Sequence, residues 1–290
     1  MAKTLFIVNP VSGRGNGRRL ADFIMKSANP CFDPVVVFTN AKNDAKEIAS
    51  ANLREGIRRF VAVGGDGTVN EVASALVHTD GVMGIIPSGS GNGLARHLKI
   101  PSRVSLALRY ILKDNIKTID YGLIDEHAFF CVSGVGFDAR IGQIFEDASG
   151  RGFICYAKNV LTEYFRYKPK KYRLLIDGKQ IIHRRAFLIT FANASQYGNN
   201  AYIAPGADVS DGLMDVCILR PFHVVKGIGF IYDLFANKLD KSNILEIIKC
   251  HEVELAQKDP GSIHFDGEPG VAGTNIRVKL ISGGLKVLVP

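Results

Sequence analysis

Gly64-Gly65-Asp66-Gly67-Thr68-Val69-Asn70-Glu71 is the stretch on which the reading of this chain turns. It follows a continuous apolar run, Arg59 to Val63, and leads into a helical stretch, Thr68 to His78. Buried strand, glycine turn and helix, in that order, form the repeating unit of a parallel α/β sheet. The turn falls beyond the carboxyl end of its strand, where open sheets of this kind bind ligands. Glycine allows close backbone approach and φ > 0, so successive N–H groups can face one anion, and the helix start adds partial positive charge. The turn therefore suits a phosphate. Asp66 repels a phosphate directly; it fits if a Mg²⁺ ion lies between them, or if it organises the loop.

Two further loops of the same character flank this one. Thr4 to Val8 reads as a strand and runs into Asn9-Pro10-Val11-Ser12-Gly13-Arg14-Gly15; Val82 to Ile86 runs into Pro87-Ser88-Gly89-Ser90-Gly91-Asn92-Gly93. Val35 to Thr39 is another β-branched run, and helical composition covers Arg18 to Ser27, Asp44 to Asn52 and Gly93 to Lys99. Strand–helix alternation over the first hundred residues predicts a parallel, Rossmann-like sheet covered on both faces, with the three loops converging on one rim. As single turns they are ordinary features of an α/β fold; three together point to a binding site. Named alternatives fail on spacing. No G-x-x-x-x-G-K-[ST] occurs, the glycines of the first and third loops lack the last interval of a dinucleotide fingerprint, and neither Ser12 nor Ser90 stands in G-x-S-x-G.

From Thr118 the character changes. Thr118 to Leu123 and Phe129 to Val132 begin a series of strands, with Asp177-Gly178, Asp211-Gly212 and Asp266-Gly267 read as hairpin turns. Helices are expected near Ile154 to Arg166 and Val224 to Ala236. The prediction is an α/β domain over 1–122 and a mainly antiparallel β-sandwich over 123–290, with the last strand packing back on the first domain. His251-Glu252-Val253-Glu254-Leu255 has one histidine and reads as a half-exposed strand, not a zinc site.

The 290 residues are 47% hydrophobic and 22% charged, the balance of a globular protein with a sizeable core. No apolar run approaches the roughly 20 residues of a membrane span. The apolar run after Met1-Ala2-Lys3 is too short for a secretory signal, and five scattered cysteines show no paired spacing. A reduced, cytoplasmic setting is expected. Net charge is +8, which suits phosphorylated substrates or an anionic membrane; no nucleic-acid-binding pattern accompanies it, and aromatic residues are 9%.

Asn9-Pro-x-Ser12-Gly13, Gly64-Gly-Asp-Gly-Thr68 with Asn70-Glu71, Gly89-Ser-Gly-Asn92 and, near the carboxyl end, Asp266-Gly267-Glu268 together resemble the diacylglycerol kinase catalytic-domain family, which includes bacterial soluble lipid kinases and sphingosine kinases. The middle motif is shared with NAD kinases and echoed in phosphofructokinases; the other two narrow the match to the lipid kinases. The resemblance implies ATP in the cleft of the first domain. Asn9, Ser12, Gly13 and Thr39 would line the nucleotide site, and Gly65, Asp66, Gly67, Thr68, Val69, Asn70 and Glu71 would cradle phosphates, with Ser90 nearby. Asp66 would anchor the Mg²⁺–ATP network. Asp266 and Glu268 would lie across the cleft, beside the substrate hydroxyl. The resemblance also implies a structural Mg²⁺ in the second domain, held by Asp211 with main-chain oxygens of Asp208 and Leu213.

Part of this stands on chemistry alone. Phosphoryl transfer to an alcohol needs neutralised phosphates, an in-line hydroxyl and a carboxylate to take its proton. Asp266 and Glu268, two apart, are expected to point to one side and share that work, with Glu268 favoured as acceptor; Asp266-Gly267 as a plain hairpin is the competing reading. The reading is an ATP- and Mg²⁺-dependent kinase of a diacylglycerol-like or sphingoid lipid, in peripheral contact with a membrane, with a homodimer left open. Apolar stripes at Phe153, Ala157, Val160 and Tyr164 and at Val224, Ile228, Ile231 and Phe235, with Lys168, Lys170, Lys171 and Arg173, are candidates for that contact, though such stripes are more often core. A kinase of NAD and a non-catalytic nucleotide- or lipid-binding regulator are the alternatives. Gly93, following Asn92, stands where many relatives carry a bulkier residue.

Overall fold

The computed structural model describes residues 3–28, 33–137, 139 and 166–290. Strands β1 (Lys3–Val8), β2 (Asp33–Phe38), β3 (Arg59–Gly64) and β4 (Val82–Pro87) lie in the order β2-β1-β3-β4, all parallel. Period-2 alternation assigns the two faces. Leu5, Ile7, Phe60 and Ala62 pack with Ala45 and Ala49 of helix α3 (Asp44–Arg54) and Val72, Ala73 and Leu76 of α4 (Asp66–Leu76). Phe6, Val8, Val61, Val63 and Ile86 pack on the opposite face with Ala21 and Ile24 of α2 (Gly17–Ala28) and Ala107, Leu108 and Ile111 of α6 (Val104–Lys113). A short α1 (Ser12–Gly15) follows β1, and α5 (Gly93–His97) follows β4. Helix α6 is not among the expected elements, although Val104, Ala107, Leu108 and Ile111 recur at helical spacing.

Strand β5 (Ile116–Ile124) turns through Asp125-Glu126 into β6 (His127–Phe129). The remaining strands are β7 (Val132–Gly136), β8 (Lys170–Ile176), β9 (Gln180–Ala186), β10 (Leu188–Ala192), β11 (Met214–Leu219), β12 (Leu245–Cys250), β13 (Glu252–Gln257), β14 (Gly261–Phe265), β15 (Glu268–Ala272) and β16 (Asn275–Leu288). A six-stranded sheet, β12-β11-β10-β7-β14-β15, faces the β16-β13-β8-β9 part of a ten-stranded one. Leu174, Ile176, Val253, Leu255 and Val278 meet Ile189, Phe191, Val216, Ile218 and Ile263 between them. This is an antiparallel sandwich on a parallel α/β domain.

The two halves share a sheet through β16. Its amino-terminal part pairs with β13 (Val278 opposite Val253), and its end runs parallel to β4 (Lys286 opposite Val82). Strand β5 follows it antiparallel across a register shift between Ile281 and Leu285. Helix α7 (Val224–Phe235) lies between β11 and β12, while the helix expected at Ile154 to Arg166 falls, but for its last residue, outside the described residues. Asp266-Gly267 is a two-residue hairpin with φ of 51° and 88°, as a type I′ turn requires. Asp211-Gly212 is not a hairpin: it ends the long connection from β10 to β11.

Candidate active site

The three glycine loops meet. Ser12 Oγ lies 2.8 Å from Asn9 O and 2.8 Å from Ser88 Oγ, joining the first loop to the third. Asn9 Nδ2 donates to Thr68 Oγ1 at 3.4 Å, joining the first to the second. The second and third pack backbone on backbone: a Cβ on Gly89 would stand 2.5 Å from Gly65 Cα, a contact only glycine permits. Gly13, at φ 60°, sits close over Ser88 O. Thr39, buried at the end of β2, donates its N–H to Val8 O, and Val69 N–H already closes the first turn of α4 on Gly65 O. Ser90 is exposed on the third loop.

Asp66 is the clasp of this junction. Its Oδ2 accepts the N–H of Asn92 and its Oδ1 that of Gly93, both at 2.7 Å, so the second loop holds the start of α5. Asn92 adopts φ 51° and bonds Gly89 through both ends of its amide. Burial pushes the Asp66 carboxyl up to about 6; the Gly93 N–H pulls it down, and the Asp266 charge pushes it further up. Gly93 now has a physical reason: a Cβ there would stand 2.8 Å from Cys131 Sγ and 3.1 Å from Tyr197 O. Each Asp66 oxygen accepts one N–H and keeps a second lone pair, so the carboxylate fits a further partner such as metal-bound water.

Asp266 and Glu268 do not share one side as expected, because the turn between them is a tight left-handed hairpin. The Asp266 carboxylate points inward, although the turn around it keeps some exposure, and accepts the N–H groups of Phe130 (2.8 Å), Cys131 (2.8 Å) and Val132 (3.0 Å) and the amide of Asn70 (2.8 Å). Burial raises its pKa while these four donors oppose the rise. Asp266 thereby fastens the second domain to α4 through Asn70, which also donates to Ala128 O. Glu268 points the other way, over the first turn of α4: its Oε1 is 2.8 Å from where a Gly67 Cβ would be, and its Oε2 is 2.5 Å from Lys42 Nζ. Of the two, Glu268 faces the rim. Glu71, expected at the phosphates, instead accepts the N–H groups of Asn43 and Ala45 at 2.9 and 3.0 Å, holding the loop before α3. A free carboxylate at that position would oppose a phosphate; one spent on two amides does not.

The residues implied as a second Mg²⁺ site do not fit a cation. Asp211 Oδ2 is 2.8 Å from Lys249 Nζ and its Oδ1 accepts Leu213 N–H at 3.0 Å. Lys249 also donates to Gly206 O at 3.3 Å and lies 3.7 Å from the buried Asp215. Asp208 is held by the Ser210 N–H and hydroxyl and by Lys117 at 3.6 Å. The ammonium therefore takes the carboxylate that a divalent ion would need, and Asp208 O already accepts the Asp211 N–H at 3.4 Å. Burial lowers the Lys249 pKa, but Asp211 and Asp215 outweigh it and the net shift is upward.

Asp120, inside the apolar run of β5, belongs to no motif and links the halves. Its oxygens accept the N–H groups of Gly212 (2.8 Å) and Gly283 (2.7 Å), and its own N–H donates to Val209 O. A lone acidic residue in a buried strand was the signal for it. Lys42 carried no signal at all.

The profile of the diacylglycerol kinase catalytic domain matches residues 3–124, and that of the YegS C-terminal NAD kinase beta sandwich-like domain matches residues 131–289. A diacylglycerol kinase of Mycobacterium tuberculosis is 32% identical over 232 residues, covering 76% of this chain and 74% of its own. One from Bacillus subtilis is 26% identical over 281 residues, covering 93% and 91%. A crystal structure of a diacylglycerol kinase from Bacillus anthracis superposes with a TM-score of 0.78 at 20% identity, covering 99% of this chain and 97% of that one; an Archaeoglobus fulgidus NAD kinase reaches 0.54 at 12%, covering 98% and 93%. The two profiles and the Mycobacterium relative place the chain among the kinases that phosphorylate an alcohol. The chain belongs to the diacylglycerol kinase family of lipid kinases.

Proposed function

We propose that this protein transfers the γ-phosphate of ATP, with Mg²⁺, to the hydroxyl of a diacylglycerol-like or sphingoid lipid. The observation that carries the reading is the junction of three glycine loops beneath a single half-exposed carboxylate, Glu268. The first-turn N–H groups of α4, which have no partner within the helix, and the loop backbones at Gly13, Ser90 and Gly91 receive the triphosphate. Mg²⁺ on the phosphates supplies charge neutralisation, with Asp66 the carboxylate fitted to it. Glu268 accepts the proton of the acceptor hydroxyl as the oxygen attacks phosphorus. Asp266 acts on structure: it fixes residues 130–132 and Asn70, so the hairpin carrying Glu268 stands over the rim.

A lipid acceptor requires a way to meet a membrane without crossing it; among the described residues no helix is long and apolar enough to cross one. Helix α7 supports a peripheral contact. Ile228, Ile231, Tyr232 and Phe235 recur at i, i+3, i+4 and i+7 and are 69%, 55%, 65% and 53% exposed, so three members of that stripe are surface and not core. The helix connects to the site: Tyr202 N–H donates to Leu234 O, and Asn199 N–H donates to Gly91 O of the third loop. The other stripe, at Phe153 to Tyr164, lies outside the described residues.

The test supplies labelled ATP and Mg²⁺ with either a total lipid extract in dispersed form or NAD. Label in a lipid supports the proposal and names the acceptor; label in NAD alone replaces it with the soluble-substrate reading. ATP bound without transfer to either leaves a regulator.

A further inference from the structure

The loop between β2 and α3 is built to hold one lysine. Asn40 and Ala41 donate their N–H groups to Asp44 Oδ2 at 2.7 and 3.0 Å, and Asn43, at φ 70°, donates its own to Glu71. Lys42 lies between these pinned residues. From there Nζ crosses to Glu268 Oε2, 226 positions further on, at the first residue of β15. The other oxygen of Glu268 hangs over Gly67. One ion pair thus ties the loop before α3 to the hairpin of the second domain, over the start of α4. A two-oxygen anion over a helix start, with an ammonium beside it, also has the charge arrangement that a terminal phosphate would present there. Side-chain exposures of 63% for Lys42 and 30% for Glu268 leave the pair screened and exchangeable.

We propose that Lys42 is a positioning residue for the phosphoryl group that is transferred. The inference rests on the kinase reading and extends it. Without nucleotide, Lys42 is the counter-ion of Glu268 and the pair covers the phosphate cradle. When a nucleoside triphosphate enters, the ammonium exchanges from the carboxylate to γ-phosphate oxygens. Glu268 then faces the acceptor hydroxyl without a counter-ion. In the transfer, a lone pair of the hydroxyl oxygen forms the new O–P bond, the bond between γ-phosphorus and the bridging oxygen breaks with its electrons on ADP, and the hydroxyl proton passes to Glu268. Lys42 stays with the phosphoryl oxygens throughout.

The experiment measures binding of ATP and of ADP, each with Mg²⁺, by calorimetry to the intact protein and its variants. Lys42→Met should weaken ATP about tenfold and ADP less than about twofold, since only ATP carries the γ-phosphate. Lys42→Arg should keep ATP within about threefold of the parent. Glu268→Gln should tighten ATP, because the internal competitor loses its charge. A Lys42→Met variant that binds ATP normally, or weakens both nucleotides equally, overturns the proposal, as does a Glu268→Gln variant that binds ATP more weakly. A parent protein that binds neither nucleotide overturns the kinase reading itself, and is told apart by that.

Discussion

The rim of the parallel sheet and the loop before β11 are both places where glycines and aspartates gather, and they have opposite electrostatic character. At the rim, the carboxylates of Asp66 and Glu71 are turned onto backbone amides, and behind it Asp266 points inward onto three more and the Asn70 amide. Before β11, the carboxylate of Asp211 and the carbonyl of Gly206 converge as acceptors, and the chain's own Lys249 fills the space between them. An anion site needs its acids occupied elsewhere; a cation site needs them free. The difference lies in which charged side chain reaches the loop, and not in the loop's composition.

Removing Asp266 should have the largest effect. Asp266→Ala leaves three backbone N–H groups and the Asn70 amide without their acceptor inside the protein, at about 1–3 kcal/mol each before relaxation. Allowing for water entering the gap, a loss of about 3–5 kcal/mol in unfolding free energy is expected in a denaturant titration. A loss below about 1 kcal/mol would return Asp266 to the chemistry, as the sequence alone had it, beside Glu268. Asp66→Asn comes next. An amide accepts through one oxygen and presents an N–H₂ to the second donor, so the start of α5 loses one of its two anchors. Turnover should fall about 10²–10³-fold with a cooperative unfolding transition retained.

These two aspartates also mark where sequence reasoning reached and where it stopped. The strand–helix alternation, the three loops and their shared rim follow from glycine spacing and apolar periodicity, which are local. Asp266-Gly267 posed a choice between hairpin and carboxylate, and it is both: the left-handed turn is what turns the carboxylate inward. Helix α6 was legible in Val104, Ala107, Leu108 and Ile111. What no local pattern carries is the partner of a charge. Lys249 meets Asp211 across 38 positions and Lys42 meets Glu268 across 226, each through strand pairings that only the assembled sheets create.

Lys249→Met sharpens the comparison at the second loop. It leaves Asp211 and the buried Asp215 without their shared counter-ion, on a half-exposed lysine, so a loss of about 2 kcal/mol is expected. The thermal midpoint should drop by several degrees, and Mg²⁺ without nucleotide should restore part of it in the variant alone. If EDTA lowers the midpoint of the parent protein with no nucleotide present, the loop holds a divalent ion and the contrast with the rim is lost.

The smallest effect separates folding from function at Asp66. Burial, which disfavours the charge, pushes its carboxyl up to about 6 in the folded protein from the 3.8 of an unperturbed aspartate. A folded pKa above the unfolded one means the native state binds the proton more tightly. That contribution to stability is complete below about 3.8 and is lost as pH rises through about 6; Asp266, raised by burial too, adds in the same direction. Activity should run the opposite way, because the clasp and its outer partner need the anion. On the acid side kcat/KM, which reports the free protein, should fall as Asp66 takes up its proton near pH 6, while the parent's unfolding free energy gains from the same protonation. Measuring both on one pH series gives the sharpest form of the contrast. Rate and stability falling together below pH 6 would mean the acid limb reports unfolding; rate falling alone assigns it to a carboxylate that the fold tolerates in either state and the chemistry in one.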